Sequence, residues 1–274
     1  MNRLTTILIA LLLPFVAEAD WFDDIRDGSD KQALYRTLYY MPKGGDLHNH
    51  LSGAVFAEWW YELALAEKER GYEYYTKVRI NNCRDYGGNA FKTAPYFLLF
   101  RNISALEYAQ LDECEQGEYK RLEDLDEREK AAWMNSIRLD KPFEGREEFF
   151  STHWQRLNAL TRNPWLQAET LVKNLQAYAM EGMVYVEYQI GAGSYEGPDG
   201  ELIDAAQAFD ILRETLARKD VRDLGVTVRF QLSILRFLPN AEDQLRRAYR
   251  LVHDNPDLFV AVNMVGREDN DKGY

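Results

Sequence analysis

The chain has 274 residues, 46% hydrophobic and 28% charged, a globular composition with enough apolar material for one large core or two small ones. Its formal net charge of −12 argues against a phosphate-backbone partner, so nucleic acid is set aside. Small ligands stay open, because a local pocket need not follow the net charge.

In chain order, residues 1–19 read as a targeting segment. The stretch starts with Arg3, runs apolar from Leu4 to Val16 and ends on Ala17-Glu18-Ala19. Small residues bracketing one position after a short apolar run are the anatomy of a cleaved signal peptide. The run is short for a bilayer span; an uncleaved anchor is the alternative. The mature chain is therefore expected to be exported, periplasmic or extracellular, with no membrane segment after cleavage. Residues 20–41 form an N-terminal helical segment, read as one helix from Asp23 to Tyr40.

Residues 42–70 read as a first strand and helix. PKGGDLHNHLSGA holds His48 and His50, two of only four histidines, and Val55–Glu69 is apolar at helical spacing. From 71 to 145 the pattern breaks into an insertion, tyrosine-rich and then charged. Its run Asp112–Lys130 is expected to be a solvated helical face. Both cysteines, Cys83 and Cys114, lie in it. In an oxidising compartment they read as one disulfide tying a subdomain. The bridge would close a loop of about 30 residues and contribute ~3 kcal/mol; two free buried thiols are the alternative.

After Gly145 the text is regular. Arg146–Leu160 is one helix. Thr161-Arg162-Asn163-Pro164 offers a capping candidate and a first-turn proline for a helix from Trp165 to about Glu181, which Gly182 ends. Strands are expected at Met183–Ile190, Val226–Leu235 and Leu258–Val265, separated by helices at Ile203–Asp220 and Asn240–Asp254. Alternating strand and helix indicates parallel βαβ units. A complete eightfold β/α barrel takes about 250 residues. The insertion consumes much of that length, so the reading is α/β: a TIM-type barrel of which about the first four strands are present, with 146–274 as truncated units two to four.

Side chains two apart on a strand point to one side. At the C-terminal end of a barrel strand that side is the mouth, where catalytic groups lie. His48 and His50 there would offer two imidazoles to zinc, which needs about three protein ligands and a position for water. Bound zinc lowers the water's pKa to about 7. Two hydrogen-bonded histidines at a strand end are the plainer alternative. His153, in EEFFSTHWQRL, is expected to pack beside aromatics, and His253 to sit near a helix end where a cation suits the dipole.

MPKGGDLHNHLSGA resembles the first-strand motif of the adenosine deaminase family, within the metal-dependent hydrolase superfamily. The likeness is greatest to its exported branch, the adenosine-deaminase-related growth factors, which carry a signal peptide and a disulfide-tied insertion after the first strand. EGMVYVEYQI, VTVRFQLSILR and FVAVNMVGRED are similar to the family's next three strands. The resemblance implies hydrolytic deamination of adenosine or a related aminopurine nucleoside, with Zn2+ as cofactor and His48 and His50 as two zinc ligands. Gly266 matches the glycine whose N–H helps hold the purine. Ser52 stands where the family usually has an acidic residue that contacts the ribose 5′-hydroxyl, and a serine can also bond a hydroxyl. The proton-shuttling glutamate and the remaining metal ligands are expected beyond Tyr274, so the chain reads as an N-terminal fragment without a catalytic acid or base of its own, inactive by itself. Another metal-dependent amidohydrolase, or a catalytically inactive secreted binding protein of growth-factor type, are the alternatives. The partner expected is a small-molecule nucleoside, with a homodimer left open.

Overall fold

The computed structural model describes residues 20–41, 43–83, 97–191, 193 and 195–268. The signal-peptide reading and the final residues before Tyr274 lie outside them. No helix among the described residues is long and apolar enough to cross a membrane. Two units separate, residues 1–43 and residues 44–274.

The first unit holds α1 (Asp20–Asp27) and α2 (Lys31–Tyr40) rather than one helix. The break falls at Gly28-Ser29. Asp30 then caps α2, its carboxylate accepting from the N–H groups of Gln32 and Ala33 at 3.0 Å each.

The second unit begins with β1 (Gly45–His50), a single 3-10 turn (Leu51–Ala54) and α3 (Ala57–Ala66). The segment 71–145 then builds β2 (Tyr74–Lys77), β3 (Asn102–Ser104), α4 (Ala105–Ala109), α5 (Glu113–Gln116), β4 (Tyr119–Arg121) and α6 (Glu127–Ser136). Its strands form an antiparallel sheet in the order β3-β2-β4. The run Asp112–Lys130 is thus not simply a solvated helical face. It contains strand β4, and Glu118 within it is 0% exposed. Composition alone could not show this, because Glu118 is neutralised by Lys77, 41 residues away.

Cys83 and Cys114 form a disulfide with a Cα–Cα distance of 5.7 Å, and no described cysteine is free. This segment shares a core with α3 and the later helices, built on Trp60, Tyr61, Trp133, Leu160 and Leu166. Trp133 is fully buried, and its indole N–H donates to Asn102 Oδ1 at 2.9 Å, which satisfies the one polar atom the ring brings inside.

The chain continues through α7 (Arg146–Glu148), a π-helical turn (Phe149–His153), α8 (Trp154–Thr161) and α9 (Pro164–Met180). The helix expected at Arg146–Leu160 therefore contains one wide turn. Asn163 caps α9, accepting from Trp165 and Leu166 N–H, and Pro164 occupies its first turn. Then come β5 (Tyr185–Gly191), a hairpin of β6 (Tyr195–Glu196) and β7 (Leu202–Ile203), α10 (Ala205–Ala217), α11 (Lys219–Arg222), β8 (Thr227–Leu235), α12 (Ala241–Asp254) and β9 (Phe259–Val265). The expected helix Ile203–Asp220 is split where Arg218 takes an extended ψ of 141°.

Strands β1, β5, β8 and β9 form one sheet in that order, every pair parallel. Its two faces differ. Val186, Tyr188, Ile190, Val228, Phe230, Leu232 and Ile234 lie on one, packed with Leu171, Leu175 and Phe209 of the helices. Glu187, Gln189, Arg229, Gln231 and Ser233 alternate onto the other. The helix-covered side carries the core; the polar side is the inward face of a barrel-type sheet.

Candidate metal centre

The site is built on an irregularity in β1. Asp46 pairs with Val186 and Asn49 with Tyr188, so Leu47 and His48 together oppose Glu187: a β-bulge. Two polar clamps hold it. The His48 N–H donates to Asp46 Oδ1 at 3.0 Å, and the Leu47 carbonyl accepts from Gln231 Nε2 at 3.1 Å. Simple alternation would have grouped Asp46 with the histidines. The bulge instead turns Asp46 and Asn49 to the helix side, where both bond the Tyr178 hydroxyl, at 2.7 Å each. His48 and His50 stay together on the inward face at the C-terminal end of the strand, ring centroids 5.3 Å apart.

Burial alone would push Asp46 up. Hydrogen bonds from Tyr178, the His48 backbone and Asn49 outweigh it and hold the carboxyl below its ordinary range. Tyr178 in turn is pushed up to about 12, first by burial and then by Asp46. His50 is shifted below the usual histidine range by the protein atoms crowding its ring and, secondarily, by His48. A neutral imidazole is the form that ligates a cation.

Gln189 faces the pair. It lies opposite His50 in the β1–β5 register. It is 4% exposed, and its Nε2 is 3.2 and 3.1 Å from His48 Nδ1 and Nε2. Ser52 lies half-buried in the 3-10 turn directly after β1. Gly266 lies just past β9, at φ +108°; a Cβ there would come 2.6 Å from Phe237 Cε1. A residue other than glycine would therefore meet both an unfavourable backbone region and a ring. His48, His50, Ser52 and Gly266 all sit at the C-terminal ends of the parallel strands.

The other histidines are elsewhere. His153 is buried in the π turn and is held by polar partners rather than only by aromatic packing: Nε2 lies 2.8 Å from the Arg138 carbonyl and Nδ1 3.2 Å from the Glu148 carbonyl. His253 is exposed in the last turn of α12, beside Asp254 at 3.0 Å. Cys83 and Cys114 are consumed by their bridge.

The donor set fits zinc as far as it goes. Two adjacent imidazoles, one of them held toward its neutral form, are what such a cation takes from one strand. Among the described residues no group of three or more His, Cys, Asp and Glu could hold a metal ion. Asp46, Asn49, Tyr178, Gln189 and Gln231 escaped the sequence reading. Their signal was there in part: polar residues at alternate positions of otherwise apolar runs, in VYVEYQI and VRFQLSIL.

No protein-family model and no curated protein matches the sequence. Solved structures do match. One is an amidohydrolase from Burkhoderia ambifaria with bound Zn, 17% identical, with a TM-score of 0.50 over 90% of this chain and 50% of that one. Another is an ADAL–IMP complex, 15% identical, with a TM-score of 0.51 over 85% of this chain and 52% of that one. At such identity the likeness shows the fold alone: an α/β arrangement with four parallel strands, consistent with part of a TIM-like barrel. The chain spans about half the length of these structures.

Proposed function

We propose that this chain carries the N-terminal half of a zinc-dependent hydrolase that deaminates adenosine or a related aminopurine nucleoside. The observation that carries the reading is the pair His48 and His50, set by a bulge on the first strand of an amidohydrolase-type sheet. Zinc, when bound, supplies a water that is acidic enough to attack at neutral pH.

The residues of this chain bind and orient. His48 and His50 would hold the metal, with Asp46 and Gln231 fixing the backbone that presents them. Ser52 would meet the sugar end of a nucleoside, and the Gly266 N–H the base. The general acid and base and further metal ligands would come from the rest of the barrel. Two neighbours support the reading: the amidohydrolase with bound Zn supports the metal, and the ADAL structure solved with IMP supports a purine ligand. Export is part of the reading, and the Cys83–Cys114 bridge supports it, since such bonds persist in oxidising compartments. An inactive secreted binding protein is the reading that the assay below separates from this one.

The test is elemental analysis and an adenosine-to-inosine absorbance assay on the full-length gene product, with His48→Ala and His50→Ala beside it. Zinc and turnover lost together in both variants are the expected result. Zinc retained in both variants overturns the metal assignment. Zinc bound without turnover of adenosine or other aminopurines favours the binding-protein reading.

A further inference from the structure

Two polar atoms on the inward face are buried without a hydrogen-bond partner, Gln189 Oε1 and Ser233 Oγ. They are near neighbours. Gln189 on β5 pairs with Gln231, two residues before Ser233 on β8, and Ser233 pairs with Gly191. Gly191 leaves room beside them, since a Cβ there would meet nothing within 4 Å. A buried acceptor left unpaired costs about 1–3 kcal/mol, which a fold tolerates where a ligand completes the bond.

The contact with His48 decides which end of the Gln189 amide is free. A hydrogen bond to one imidazole nitrogen lies in the ring plane along its lone pair. At 3.2 and 3.1 Å from the two ring nitrogens, Gln189 Nε2 cannot lie in that plane without striking the carbon between them. It therefore stands over the ring face. The face of an uncharged, metal-free imidazole attracts an N–H group and repels a carbonyl oxygen. So the amide nitrogen belongs over His48 and the oxygen belongs in the open position. The Gln189 contact leaves the in-plane direction at each His48 ring nitrogen clear.

We propose that Gln189 Oε1 and Ser233 Oγ form the hydrogen-bonding edge of the ligand site beside His48 and His50, and that they recognise a flat heterocycle through an amino group or ring N–H. This rests on the deaminase reading and adds residues that select the substrate. Gln189 accepts from the ligand's donor. The Ser233 hydroxyl rotates to donate or accept at the neighbouring atom.

The test uses the zinc-loaded full-length protein and calorimetric titration of 1-deazaadenosine and 1-deazapurine riboside. The two differ only in the amino group, and neither has the ring nitrogen next to the reacting carbon. The wild type should prefer the amino compound about five- to tenfold, the worth of one buried hydrogen bond. Gln189→Met should abolish that preference while leaving the affinity for the riboside and the zinc content unchanged. Gln189→Glu, which keeps an acceptor oxygen, should retain the preference, and Ser233→Ala should weaken it partly. Equal weakening of both ligands in Gln189→Met, or an undiminished preference, overturns the proposal while the deaminase reading stands. A wild-type protein that keeps its zinc but binds neither compound overturns both.

Discussion

The antiparallel insertion and the inward face of the parallel sheet bury different polar groups, a charge pair in one and an unanswered amide oxygen and hydroxyl in the other, though Thr76 Oγ1 of the insertion is also buried without a partner. In the insertion, Glu118 and Lys77 have side chains 0% and 3% exposed and form an ion pair with each other. Glu118 also accepts from the Asn81 N–H, and the Lys77 ammonium lies 5.0 Å from the Tyr119 ring centre. A disulfide closes the same region. On the inward face of the sheet, Gln189 and Ser233 hold buried atoms with nothing to bond, next to two exposed histidines. A charge pair answered from within serves the fold. Polar atoms left open beside possible metal ligands serve a partner that arrives later.

The comparison is most exposed to a change at Lys77. Lys77→Met removes the buried counter-charge of Glu118 and should lower stability by about 3–5 kcal/mol, read from urea unfolding at pH 7. A loss below about 1 kcal/mol, the range of surface ion pairs, would make the pair incidental. Replacing both cysteines by alanine opens a 31-residue separation. It should cost roughly 3–4 kcal/mol on the loop-entropy estimate, and the same unfolding curves report it.

Changes on the sheet side should be smaller for stability. Gly266→Ala forces a side chain at φ +108° against Phe237 and should destabilise by about 1–3 kcal/mol, measured as a fall in thermal midpoint. Tyr178→Phe removes one of the bonds that hold Asp46 low, and should cost about 1.5–3 kcal/mol at pH 7 as a bond to a charged group, less for its partial exposure. It also has a pH signature. Asp46 is depressed in the folded state, so its contribution is full above the unfolded carboxyl value near 4 and fades as pH falls through the folded value. Removing the phenol raises that folded value and narrows the window. The difference between wild type and Tyr178→Phe should therefore shrink as pH is lowered through that acid range, and a pH-independent difference would separate Asp46 from the clamp.

Much of the sheet was legible because its strands are apolar runs bounded by helix caps. Met183–Ile190 and Val226–Leu235 differ from the observed Tyr185–Gly191 and Thr227–Leu235 by one or two residues. The insertion was legible only as an interruption. Its short strands carry no period long enough to register, and Glu118 reads as one more surface acid until Lys77 is brought against it. The histidine pair was visible as spacing. What holds it was not, because Gln231 lies 184 residues from Leu47 and Tyr178 132 from Asp46.

By itself the sequence determined which segments alternate between strand and helix, where the helices are capped, and that two imidazoles share one strand face. Those are local matters, set by side-chain period and backbone preference within a few residues. Only the tertiary structure decided that β1 bulges, that Asp46 turns to the helices, that Lys77 answers Glu118, and that Gln189 keeps its oxygen open. Each of those depends on a partner far along the chain, and a polar group's role is fixed by whether anything is there to bond it.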